Sequence, residues 1–258
     1  MLQIPRLITQ IIYNFLYHVG CFGKLVYQTF SSITDFRTYS SNIVPQMMHI
    51  GVMSLPIVGY ISIFMGMVIA LQAVTQFTQT VPLYIAGTVV EKAVMQELSS
   101  AMIALVLAGR VGASIAAEIG TMKVTEQIDA LEAMAFNPVS YLVVPRLLAG
   151  LIMLPVLTIF SALISFTSGW LTAINMTELT TYEFFKGAKL YATWKDFALP
   201  LSKAFIFGFA IIMIACYQGF NTEQGAAGVG RTTTKAVVVA CLMILTLDYV
   251  MAKIILSF

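Results

Sequence analysis

Long apolar runs separated by short polar stretches organise this chain. Near the amino terminus Ile8, Ile11, Ile12, Phe15, Leu16, Val19, Phe22 and Val26 recur at helical spacing, while Gln10, Asn14, His18, Lys24 and Gln28 fill the other face. Such one-sided polarity predicts a helix lying in the membrane interface rather than crossing it. After a polar stretch with Asp35 and Arg37, residues 47–71 form the first run long enough to cross a bilayer, which takes about 20 mostly apolar residues. Pro56, Gly51, Gly59 and Gly66 mark kinks or close helix contacts within it. A second helix is predicted from near Tyr84 to beyond Ala117, longer than a span requires. In it Ala104, Ala108, Gly112, Ala116 and Gly120 repeat every fourth residue, a stripe that lets another backbone approach closely. The third span covers residues 142–174, with Pro145 near its start and Pro155 inside. A polar segment, 175–196, holds Glu178, Glu183, Lys186, Lys189 and Trp194. The fourth and fifth spans cover 199–220 and 236–258, so the termini lie on opposite sides of the membrane.

Composition sets the solvent. With 59% hydrophobic and 10% charged residues and a mean hydropathy of +0.88, most of the chain is soluble only in lipid, and no soluble domain of ordinary size is left over. The expectation is one domain over 1–258, with 1–46 as interfacial helix and linker and 47–258 as transmembrane core. The net charge of +2 is scattered, without the basic stripe that nucleic acid requires, so that class of partner is set aside. Cys21, Cys216 and Cys241 are odd in number and flanked by apolar residues, which reads as packing rather than disulfide or metal chemistry. Placing the amino terminus on the cytoplasmic side puts eight Lys and Arg there against six opposite, a small bias in that sense.

Three features bear on chemistry. In the connector 118–138, Val124, Ile128, Leu131 and Ala135 share one helical face, Lys123, Glu126 and Asp129 the other, and Asn137-Pro138 stops the helix. This predicts a short amphipathic helix outside the lipid; its acidic face suits anionic headgroups poorly, so a protein partner explains it better. Glu97 lies inside the second span, where a carboxylate is costly unless it faces a cavity or a partner. It either serves a pocket, pairs with Lys92, or reaches the outer interface. Asp248 and Lys253 in the last span, with Lys203 in the fourth, are costly too, and an interhelical ion pair of Asp248 is preferred over transport chemistry. Residues 225–232 have P-loop spacing, but Arg231 replaces the lysine and no α/β domain surrounds them; they predict a flexible turn before a helix start. The energy source is therefore expected on another chain. His18 and His49 stand apart without metal-ligand spacing, and no catalytic elbow or carboxylate pair is present, so neither metal nor catalytic residues are expected.

The stretch 107–134, followed by Asn137-Pro138 and by 141–150, closely resembles the MlaE (YrbE-type) permease family. A looser likeness runs over 51–256, including Gly51-Val-Met-Ser-Leu, Gly66-Met-Val-Ile-Ala-Leu-Gln and Arg231-Thr-Thr-Thr-Lys-Ala-Val-Val. The resemblance implies an all-α integral membrane protein with an amino-terminal interfacial helix, five transmembrane helices and a cytoplasmic coupling helix between spans two and three. It implies the permease subunit of an ABC transporter in a bacterial inner membrane, moving phospholipid or a related lipid between inner and outer membranes. The family works as a homodimer on a cytoplasmic ATPase, which binds ATP and Mg, and opens to a periplasmic MCE-domain protein; this chain itself binds no cofactor. Carried over by position, Glu118, Glu126, Asp129 and Glu132 lie in the coupling helix, Ile128, Leu131 and Met134 supply its apolar grip, and Arg110 and Arg146 either pin it or snorkel to headgroups. Lipid contact falls on Glu97 with Gln96 and Leu98, on Ile69, Gln72, Gln76 and Phe77, and on Lys235. Where the family carries Arg-Glu-Leu-Gly-Pro, this chain reads Gln96-Glu97-Leu98-Ser99-Ser100, which removes the cation beside Glu97 and the Gly-Pro break after it, and with them the assurance that headgroups are handled alike. Two other readings are an intramembrane lipid-modifying enzyme using Glu97 and Asp248, opposed by the lack of a nucleophile, and a secondary transporter, opposed by the lack of inverted repeats.

Overall fold

The computed structural model describes residues 3–34, 36–76 and 82–257, and every regular element among them is helical. Asp35 and Phe77 lie outside the described residues, as do the side chains of Ile8, Ile11, Ile12, Asn14 and Phe15. Helix α1 (Gln3–Ser31) precedes five helical stretches long and apolar enough to cross a membrane. Span one joins α2 (Phe36–Ile50) to α3 (Leu55–Gln76) through a 3-10 turn; span two contains α4 (Ile85–Ala93), α5 (Ser99–Leu107) and α6 (Ala113–Val124). The connector helix is α7 (Gln127–Ala133), span three is α8 (Val144–Met176), α9 (Thr181–Leu190) follows, and α10 (Trp194–Phe220) and α11 (Ala226–Ser257) are spans four and five. The spans outrun the apolar runs at several ends. α11 starts at Ala226 rather than at 236, directly after Gly225 in a left-handed turn (φ +85°), because a backbone approaching lipid keeps its hydrogen bonds internal even through Arg231 and Lys235. Likewise α2 runs through residue 46, where the linker was expected to end.

Lipid gives helices no hydrophobic reason to associate, so contact rests on close backbone approach and on polar groups. The α3–α8 seam shows both. Ser62 Oγ donates to Ser161 Oγ at 2.7 Å, and Ser165 Oγ donates to the Ser62 carbonyl at 2.9 Å. Gly66 lies so close that an added Cβ would collide with the Ser165 carbonyl, whereas at Gly59 it would meet Phe160 at 3.8 Å, an ordinary contact. The predicted stripe on span two is buried along its whole length and packs against α10; a Cβ on Gly219 would stand 2.7 Å from that of Ile119. A second interlock joins α4 to α9. Gly87 faces the Phe184 carbonyl, Gly187 faces the Tyr84 carbonyl, and Thr88 Oγ1 donates to the Gly187 carbonyl at 2.6 Å. Helix α9 starts with a reciprocal cap in which Glu183 accepts from the Thr180 amide and hydroxyl; the amide bond, and then the hydroxyl, hold the Glu183 carboxyl below its ordinary value.

α1 is one continuous helix laid against the end of α10. Leu25 is buried, Phe22 meets the Tyr217 ring edge-on, and His18, placed on the polar face by its sequence, accepts or donates at 2.8 Å with the Tyr217 hydroxyl. Leu16 and Val19 point outward, so the apolar face splits between the protein and its surroundings.

The connector differs from the single helix expected over it. α6 carries the second span to Val124, Glu126 then turns the chain with φ 59°, and α7 has only seven residues. At its end the Phe136 amide donates to the Leu131 carbonyl and the Ala135 amide to that of Glu132, a Schellman closure that puts Ala135 at φ 62°. A left-handed alanine costs about 1–2 kcal/mol. We expect Ala135→Gly to slow hydrogen exchange of the α7 amides by about fivefold, following about 1 kcal/mol of relief. In thermal unfolding in detergent, Gly66→Ala is expected to destabilise by about 1–3 kcal/mol, and Gly59→Ala to be neutral or to stabilise by up to about 1 kcal/mol.

Candidate functional site

Span two leaves α-helical geometry twice, in π-helical turns at Val94–Leu98 and Ala108–Gly112, and each turn carries one of its charged residues, Glu97 and Arg110. The first turn brings Glu97 to α10. Lys203 Nζ donates to Glu97 Oε2 at 2.5 Å and lies 2.8 Å from Asp248 Oδ1 of α11, an ion pair whose angle falls outside hydrogen-bond geometry. The ammonium also donates to the Gln96 carbonyl at 3.4 Å. The Lys203 side chain is fully enclosed, whereas those of Glu97 and Asp248 are 40% and 22% exposed. A bare ammonium in that position would cost several kcal/mol, so both carboxylates are needed to hold it. The pairing of Glu97 with Lys92 considered above is not formed. The cation missing beside Glu97 in sequence is supplied across the helix interface by Lys203, and the ion pair expected of Asp248 joins the same group.

A second cluster adjoins it. Asp196, fully buried, accepts from Lys92 Nζ at 2.6 Å, from Gln96 Nε2 at 2.7 Å, and from the Thr193 amide and hydroxyl at 2.6 and 2.9 Å. Gln96 thus faces Asp196 through its side chain and Lys203 through its carbonyl, linking the two clusters. Sequence reasoning missed Asp196, although Thr193-x-x-Asp196 is a capping-box pattern that fixes a helix start. It also missed Glu91, buried in α4 with neither carboxylate oxygen hydrogen-bonded among the described residues.

The remaining lipid-contact candidates do not gather at one point. Ile69 is buried in a core cluster with Val94 and Phe184, and Leu98 packs at its edge. Gln72 and Gln76 are exposed on α3, and Lys235 is exposed on α11 beside Arg231. Next to the charged clusters, an apolar cleft of about 240 Å³ opens between Met95, Ser99, Thr158, Ala162, Phe197 and Pro200.

At the other end of span two, Arg146 does not snorkel. It is buried, pairs with Glu118 Oε1 at 2.7 Å, and donates to the Leu142 carbonyl at 2.6 Å, tying the end of α6 to the start of α8. Glu118 is therefore engaged within its own chain, on α6 rather than on α7. Arg110 does not reach the connector either; it bonds the Ser54 hydroxyl and, at 3.5 Å, the His49 carbonyl, holding the α2–α3 joint. On α7, Ile128 is turned into the chain's own core and Leu131 packs beside it, so neither offers the outward grip expected of them. Their face was read correctly as apolar, but this chain occupies it. Exposed on the connector are Glu126, Asp129, Glu132, Met134 and Phe136, with Lys123 donating to Asp129 at 3.0 Å.

The chain is 38% identical over 253 residues to a probable ABC transporter permease protein of Rickettsia prowazekii, covering 98% of each. It is 36% identical over 217 residues to a probable ABC transporter permease protein of Synechocystis, covering 84% of this chain and 82% of that one. With the intermembrane phospholipid transport system permease protein MlaE of Haemophilus influenzae it shares 31% identity over 242 residues, 93% of each chain. Residues 43–254, which take in all five spans but for the first few residues of span one, match the family described as permease MlaE, and the chain belongs to that family of ABC transporter permeases.

Proposed function

We propose that this chain is the lipid-handling permease of an ABC transporter that moves phospholipid between the inner and outer membranes of a diderm bacterium. Family membership favours this reading over the lipid-modifying enzyme and the secondary transporter. The observation that carries the reading is the half-open group of Glu97, Lys203 and Asp248, a charged site at span depth with one enclosed cation. A phosphodiester reaching Lys203 displaces one of its carboxylates, and the displaced carboxylate accepts the hydrogen-bond donors of the headgroup. Gln96 tethers this movement to Asp196. The apolar cleft at Met95, Ala162 and Phe197 takes an acyl chain. Ile69, Gln72, Gln76, Leu98 and Lys235 belong to the lipid path farther from the headgroup.

In this reading two copies pair in the inner membrane, a periplasmic MCE-domain protein receives or supplies the lipid, and ATP with Mg is bound by a cytoplasmic ATPase. Glu126, Asp129 and Met134 form the exposed contact to that ATPase, with Glu132 at its edge toward α1. Force entering α7 passes through Ile128 and Leu131 into the core and through Glu118–Arg146 into spans two and three.

Reconstituted with its ATPase in proteoliposomes, Lys203→Met is expected to abolish movement of a fluorescent phospholipid and to cost about 3–5 kcal/mol of stability, since two carboxylates lose their partner. The triple variant Glu97→Gln, Lys203→Met, Asp248→Asn removes all three charges and is expected to recover stability while staying inactive; transport at the wild-type rate would overturn the proposed site. For the connector, Glu126→Lys with Asp129→Lys is expected to abolish lipid-stimulated ATP turnover with an unchanged unfolding midpoint. Unaltered turnover and complex formation would count against docking at α7.

A further inference from the structure

At the α7 side of the molecule, remote from Glu97, a cavity of about 370 Å³ opens between α1, the connector and the end of α10. Its size is within the range of about 300–1,000 Å³ usual for small-molecule sites. We propose that it binds the phosphate–amine headgroup of a membrane lipid, at a site separate from the transport route.

The charge pattern carries the assignment. Lys24 and Gln28 from α1, Lys123 and Glu132 from the connector, and Asn221 after α10 line the polar part. Lys123 also holds Asp129, but among the described residues Lys24 and Glu132 have no ion-pair partner. Lys24 beside Glu132 matches a phosphodiester carrying a primary amine: Lys24 takes the phosphate, flanked by Lys123 shared with Asp129, and Glu132 accepts from the ammonium. A purely anionic headgroup would leave Glu132 opposed, and a quaternary amine has no N–H to donate to it.

Position supports the same ligand. The cavity lies where the apolar runs of α6 and α10 end, beneath a helix with one polar face, which is the level of lipid headgroups. Cys21, Leu25 and Phe220 supply apolar walls for the glycerol and the first methylenes. The α1 wall is fixed by the His18–Tyr217 bond and the Phe22–Tyr217 contact. Since Ile128 and Glu132 of α7 complete the lining, occupancy biases the position of the helix through which the ATPase is proposed to act. The composition of the adjoining leaflet thereby sets how readily the transporter engages.

Cys21 lines the cavity and reports on it, and Cys241 on α11 serves as a reference within the same chain. The purified full chain is placed in nanodiscs of phosphatidylethanolamine, phosphatidylcholine or phosphatidylglycerol, treated with N-ethylmaleimide, and the modification of each cysteine is followed by peptide mass spectrometry. Relative to Cys241, Cys21 is expected to react about fivefold more slowly in phosphatidylethanolamine than in the other two, the effect of about one lysine at a headgroup. Lys24→Ala should remove the difference and Lys24→Arg should keep it, while Glu97→Gln leaves it unchanged, which separates this site from the transport site. Equal rates in all three lipids would overturn the proposal. Equal protection by phosphatidylglycerol would overturn recognition of the amine, and protection by soluble glycerophosphoethanolamine in phosphatidylcholine discs with none in phosphatidylethanolamine discs would overturn a membrane lipid as the ligand.

Discussion

The ammonium of Lys203 is the point on which the interior of this protein turns. It is enclosed at span depth and satisfied by groups from two other spans, Glu97 and Asp248, with help from the Gln96 carbonyl. Hydrocarbon cannot solvate it, so the second, fourth and fifth spans stay together or the charge is stranded. The neighbouring Asp196 repeats the logic with opposite sign, its carboxylate closed by Lys92, Gln96 and the start of its own helix. Ionic groups here do what apolar packing does in water.

Close backbone approach performs the rest. Serines and glycines join α3 to α8, the small-residue stripe seats span two on α10, and paired glycines lock α9 to α4. Charge groups and small-residue seams are complementary: the seams bring helices near enough for short polar contacts, and those contacts fix which seams form. The π-helical turn at Val94–Leu98 marks where span two departs from regular geometry to present Glu97 to Lys203.

The sequence was informative about whatever depends on periodicity. Five spans, the stripe on span two and the turn at Gly225 were legible, because hydropathy and glycine spacing act locally. Pairing between helices was not. Lys203 and Asp248 were recognisable as costly residues, yet their meeting with Glu97 depends on how three spans rotate about their axes, which no single span encodes. The same holds for Arg110 and Arg146, both near the ends of the connector in sequence, one bound to the α2–α3 joint and the other buried against Glu118. The apolar face of α7 was visible too, but Ile128 could point to a partner or to its own chain, and only the fold decides. The serine seam of α3 and α8 passed unnoticed although Thr158, Ser161, Ser165, Ser168 and Thr172 recur at helical spacing along span three, a small polar stripe that was legible in the sequence.

The α4–α9 interlock has a mechanical consequence. With carbonyls seated against Gly87 and Gly187, and with Asp196 binding the start of α10 to α4 and the following turn, the α9 ends of spans two, three and four form one block. Such a block can rotate or translate, but it cannot shear internally without driving a side chain or a charge into a space that does not exist. Span one is seated on this block through the Gly66 seam and span five is held to it through Asp248 and Lys203, so the spans shift as one body rather than as a flexing bundle.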